Sequence, residues 1–154
     1  MTKGSPNRDD YISTVMDTID EYGVMIQAVF SGEGQEPSPS FAYTVGLAAI
    51  GEPEIIVFGL SPETSHHILN SMALPLGERA WQPGISHEVF GLDVPAYLLV
   101  VADSSEHLTV SNMLFGGADP IPALQLVYPD KNGRWPWEPG CLVADSQPLL
   151  GSKP

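Results

Sequence analysis

The chain has 154 residues, of which 43% are hydrophobic and 16% charged. That balance suits one globular domain with a sizeable core and excludes a disordered chain. The formal net charge is −13, from six basic against nineteen acidic residues, which disfavours nucleic acid and anionic membrane surfaces, since both are held by Lys and Arg.

Residues 1–8 read as a flexible leader before a single domain over residues 9–150. A helix is expected first, because Tyr11, Ile12, Val15, Met16, Ile19 and Tyr22 recur at three- and four-residue steps and form one apolar stripe. Asp9 and Asp10 suit its positive end, and Gly23 its C-terminal stop. Residues 24–30 then read as a strand with Val24, Ile26, Ala28 and Phe30 inward. The polar stretch 31–40, with two Gly and two Pro, reads as a loop; its functional alternative is a lid.

The chain is organised around residues 41–60. F-A-Y-T-V-G-L alternates, with Phe41, Tyr43, Val45 and Leu47 on one face and Ala42, Thr44 and Gly46 on the other. The second face is nearly bare, so either a ligand or a packed helix can come close to the backbone. E-I-I-V-F-G-L is a continuous apolar run, which predicts a central strand buried on both faces. The link 48–53 is too short for a parallel crossover, so the two strands should pair antiparallel, turning at Gly51 and Pro53.

Ser61-Pro62-Glu63 is a helix start: a capping hydroxyl, Pro at the first helical position, then an acid. Ile68, Leu69, Met72, Ala73 and Leu76 give this second helix its buried side, with Pro75 straining the end and Gly77 closing it. Strands are expected over 85–90 and 95–102, joined at residues 91–93. Asp103-Ser104-Ser105-Glu106 has capping-box spacing for a third helix, running to about Phe115 and stopping at Gly116-Gly117. Residues 124–128 read as a last strand, followed by a reversal at Asn132-Gly133. Pro136 and Pro139 keep 134–140 out of any central strand. The order implies an α+β fold: a mostly antiparallel sheet, or a small split-barrel-like barrel, flanked by about three helices.

F-A-Y-T-V-G-L, P-E-I-I-V-F-G-L and L-Q-L-V-Y-P-D-K-N-G together resemble a family of small actinobacterial and phage proteins known only as a domain of unknown function. Tyr43, Thr44, Gly46, Leu47, Pro53, Glu54, Gly59, Gln125, Pro129 and Asp130 carry the resemblance, which implies a shared fold and no established activity. The opening order of elements is also similar to flavin-reductase-like split barrels, a likeness of topology that does not settle function.

Chemical motifs are sparse. His66 and His67 are neighbours about 100° apart on a helix, and position 70, where a zinc-binding pair would need its second His, is Asn. His87 and His107 have no paired spacing, so no metal is expected. Cys141 is the only cysteine; it forms no internal disulfide, fits a reducing cytoplasm, and lacks local activation as a nucleophile. The first ten residues hold no apolar segment, so no secretory signal is expected, and the longest apolar run, 94–102, falls short of the ~20 residues of a membrane span.

Gln125 lies inside an apolar strand, so it is either solvent-facing or buried and hydrogen-bonded. Asp130 suits a turn whose amides its carboxylate accepts. Trp135 and Trp137 suit either an aromatic platform or a cover for one end of the sheet. The first functional reading is a small-molecule-binding domain, its pocket beside strand 41–47 and built from Tyr43, Thr44, Gly46, Gln125 and Asp130. The alternatives are a protein-interaction module of phage or host, and a flavin-dependent or other enzyme. No cofactor is expected: a flavin phosphate wants cationic partners, and only Arg79, Lys131 and Arg134 lie away from the termini.

Overall fold

In the computed structural model, residues 8–29, 40–74, 81–87, 89 and 94–154 are described, with side chains from residue 10 onward. The expected leader up to residue 7, the 31–39 loop, Pro75, Gly77 and the 91–93 link lie outside them. The elements run α1 (Arg8–Tyr22), β1 (Met25–Val29), β2 (Phe41–Val45), β3 (Glu54–Phe58), α2 (Pro62–Ala73), β4 (Gly84–Ser86), β5 (Ala96–Val100), α3 (Thr109–Phe115) and β6 (Ala123–Val127). None of these helices is long and apolar enough to cross a membrane.

The strands form one open sheet in the order β1-β2-β3-β6-β5-β4. The expected β2–β3 hairpin is there, antiparallel, with Phe41 opposite Phe58 and Tyr43 opposite Ile56. All neighbours are antiparallel except β3 and β6, which run parallel with Ile55 opposite Leu124. The fold is therefore the α+β class the sequence implies, as an open mixed sheet with three helices and not a closed barrel. Two antiparallel three-stranded units are joined along their β3 and β6 edges.

Apolar alternation places a core on each face. Ala42, Ile55, Val57, Leu98, Leu124 and Leu126 pack under α2, whose Ile68, Leu69, Met72 and Ala73 are buried. Tyr43, Val45, Ile56, Phe58 and Ala123 pack on the other face with Val15 of α1, Leu108 and Val110. The start of α2 is as its sequence dictates: Ser61 accepts from the Thr64 amide at 3.2 Å, and Pro62 opens the helix.

Four local differences stand out. Leu47 does not share a face with Phe41 and Val45; β2 ends at Val45, Gly46 turns the chain at φ +131°, and Leu47 begins a 3-10 turn over Leu47–Ile50. It joins the α2-side core instead. The stripe on α1 is buried only at its middle: Val15 is 1% exposed but Tyr22 is 61% exposed. Strand β4 is short, covering Gly84–Ser86. The third helix comes in two pieces, a 3-10 turn over Ser104–Glu106 and then α3. Asp103 bonds the Ser105 amide and hydroxyl two residues on, which favours a tight turn over a regular start. Helix α3 has no cap from its own sequence; instead the Tyr43 hydroxyl accepts from the Val110 amide at 3.1 Å.

Candidate functional site

The most polar feature of the interior is built around Glu54, the first residue of β3, which is fully buried. Its Oε1 accepts from the Thr44 hydroxyl at 2.8 Å and the Leu47 amide at 3.0 Å. Its Oε2 accepts from the Gly46 amide at 2.9 Å and the Ala48 amide at 3.2 Å. Thr44 is free to donate because its oxygen accepts from the Ile55 amide at 2.9 Å. The carboxylate therefore caps the first amides of the 3-10 turn, where an anion is favoured. Burial pushes the Glu54 carboxyl above its ordinary value, and the Gly46, Thr44, Ala48 and Leu47 donors oppose that. Two donors on each oxygen fill the acceptor sites, so the group is occupied structurally.

The five residues proposed from the sequence do not converge. Tyr43, Thr44 and Gly46 sit together around Glu54 and the start of α3, where a Cβ on Gly46 would meet Gly23 O at 2.9 Å. Ala42, on the same bare face, packs under α2. Of the two readings of that face, packed helices occupy it. Gln125 is buried, but its amide holds the C-terminal segment: Nε2 donates to Pro148 O at 2.7 Å, and Oε1 accepts from the Leu150 amide at 2.8 Å. Asp130 closes the turn after β6. Its Oδ1 accepts from the Asn132 and Arg134 amides, both at 2.9 Å, and Oδ2 accepts from Leu142 at 2.8 Å.

The Asp130 carboxyl is held below the ordinary carboxylate range, first by the Leu142 amide and then by the Arg134 amide. A depressed folded value means that the unfolded chain binds the proton more readily near its ordinary pKa of about 3.9. The stabilisation is therefore present above about pH 4 and lost as pH falls through the lower folded value. Trp135 and Trp137 report on this turn: they stack on each other at 5.2 Å and meet Tyr97 edge-on, covering part of the sheet. Their fluorescence should show an acid transition below about pH 4 that Asp130→Asn abolishes. An unchanged transition in the variant would remove Asp130 as its cause.

A groove opens elsewhere, between α1, β1 and α2. It has a volume of about 410 Å³ and is lined by Thr18 and Tyr22 of α1, by Val24, Met25 and Ile26, and by His66, Asn70 and Leu74. Its floor is apolar, and four polar side chains rim it. No local motif marks it in the sequence, because its residues come from two stretches, 18–26 and 66–74, that lie far apart in the chain. The exposed Tyr22 at the end of an otherwise core-facing stripe is the one signal that could have pointed there.

The remaining candidates are dispersed. Among the described residues, no three His, Cys, Asp or Glu are gathered in an arrangement that could hold a metal. His67 and His87 are exposed. His107 stands edge-on to Phe41 and Phe58, and its Nδ1 is buried without a hydrogen-bond partner among the described residues. The Cys141 thiol donates to Arg134 O at 3.2 Å.

Fold and groove together define a small α+β domain with an open sheet and a cleft along one edge. Residues 18–142 match the family model described as "Domain of unknown function (DUF4262)". The chain belongs to that family, and the match takes in both the Glu54 nest and the groove. Comparison with curated proteins and with solved structures gives no match.

Proposed function

We propose that the domain is a binding module whose recognition site is the groove between α1, β1 and α2. The observation that carries this reading is the groove's composition: a concave apolar floor with a few polar side chains at its rim, at a volume within the range of ligand sites. It keeps the binding reading of the sequence and moves the site outward by one strand, from β2 to β1. The polar groups around β2 are engaged within the protein, and the Thr18 hydroxyl donates to Thr14 O at 3.0 Å, whereas the side chains of Tyr22, His66 and Asn70 line the groove.

A flavin fits this site poorly. Asp17 and Glu21 lie on the adjoining surface of α1, and carboxylates repel a phosphate dianion. We expect a colourless protein, cytoplasmic and without nucleic-acid affinity. Native mass spectrometry of freshly purified protein tests the cofactor expectation, and a flavin-sized adduct would put the enzyme reading first. The groove is tested with a neutral solvatochromic dye such as Nile red. Wild type should enhance its fluorescence, and Asn70→Trp, which fills the groove from a half-buried helix position, should reduce that by about tenfold, the effect of losing ~1.4 kcal/mol of binding. Equal enhancement by the two proteins would remove the groove as the site.

A further inference from the structure

We infer that the ligand of this groove is an extended, basic peptide segment that adds a strand to the edge of β1 facing away from β2. The inference rests on the groove being the recognition site and names what occupies it. Val24, Met25 and Ile26 are consecutive, and in a strand consecutive side chains point to opposite faces. Ile26 packs toward the α2-side core and Met25 toward the other. All three nevertheless line one groove, so it runs along the edge of the strand. The walls fit this: α1, from one face of the sheet, contributes Thr18 and Tyr22, and α2, from the other, contributes His66, Asn70 and Leu74.

Strand β1 ends the sheet order and pairs only with β2 among the described strands. Its sequence, M-I-Q-A-V, has no charge, proline or glycine, the guards that keep an unpaired edge from accepting another strand. Strand addition to such an edge gives affinity through main-chain hydrogen bonds, with side chains falling alternately against the two walls. Charge selects the occupant. Asp17 and Glu21 each precede a groove residue, Thr18 and Tyr22, by one position, about 100° round α1, and both are exposed beside the groove's α1 wall. Neither α1 nor α2 has a basic residue in its last turn. A segment with Lys or Arg beside apolar residues complements these carboxylates; an acidic one is repelled.

The test uses the full chain and a synthetic peptide of alternating valine and threonine flanked by lysines, followed by fluorescence anisotropy. It should bind below about 100 μM. Replacing its lysines by glutamates, or two valines by prolines, should each weaken binding by at least about tenfold. Asp17→Lys with Glu21→Lys, both on the exposed face of α1, should weaken the lysine peptide by a similar factor and improve the glutamate peptide. Equal binding of the lysine, glutamate and proline peptides would overturn the inference. If Nile red binds and is lost in Asn70→Trp while no peptide binds, the peptide assignment fails and the groove survives. If neither probe binds, both fail. A dimer on sedimentation that Asp17→Lys/Glu21→Lys changes, with no peptide competition, would assign the edge to a second copy and overturn the peptide.

Discussion

Glu54→Ala should lower folding stability by about 4 kcal/mol, a large share of the 5–15 kcal/mol that holds a typical domain together. The substitution leaves the amides of Gly46, Leu47 and Ala48 and the hydroxyl of Thr44 without their acceptor. Each buried donor left unpaired costs about 1–3 kcal/mol, and partial entry of water offsets some of the sum. Glu54→Gln should cost nearly as much, because its amide nitrogen would face donors. Urea denaturation reads the effect as a lower midpoint at unchanged slope. A loss below about 1 kcal/mol for Glu54→Ala would show that the buried carboxylate does not hold the β2–β3 connection.

Gly46→Val should be the next most damaging change. Gly46 sits at φ +131°, a region that β-branched residues rarely enter. Its new Cβ would lie 2.9 Å from Gly23 O and 3.3 Å from Val24 Cα, which are backbone atoms at the end of α1 and cannot swing aside. Backbone strain of about 1–3 kcal/mol adds to overpacking of about 1–3 kcal/mol. A drop in melting temperature of roughly 10 °C follows for a domain of this size. Because Gly46 also donates to Glu54, the two substitutions share one network. The double variant should therefore be less destabilised than the sum of the singles. A melting temperature unchanged in Gly46→Val would contradict the close approach of α1 to the turn.

Local signals in the sequence were legible wherever one segment carries its own information. Ser61-Pro62 starts a helix whose cap and proline act within four residues, and 55–58 is apolar on both faces because a core packs against each face of the sheet there. Gly133 adopts the positive φ that the Asn132-Gly133 reversal implies. What stayed hidden depends on distant partners. The parallel pairing of β3 with β6 joins segments about seventy residues apart, as with Ile55 and Leu124, and no periodicity encodes it. The turn after Asp103 is tied down by a bond from Ser104 to Ile121 O, and α3 restarts where Tyr43 can cap it, both through partners distant in the chain.

The same limit explains the site. Thr44 and Gly46 are small polar and flexible positions, which suits a ligand face or a packed one, and only the placement of Glu54 and α1 decides between them. The sequence leaves Gln125 either solvent-facing or buried and bonded, and what decides for burial, its partners Pro148 and Leu150, lies past the last strand. Beyond Tyr22 the groove has no sequence signature, since Tyr22, Met25 and Asn70 meet only through the packing of two helices around one strand edge.

Amide chemical-shift mapping with ¹⁵N-labelled protein tests the central claim most directly, with the lysine-flanked peptide as probe and Nile red as its small-molecule counterpart. Both ligands should shift the amides of residues 18–26 and 66–74, and the peptide should add slowed hydrogen exchange along β1. Shifts gathered instead at 44–48 or at 135–137, with residues 18–26 unmoved, would contradict the account and place recognition at the β2–β3 turn or at the paired tryptophans.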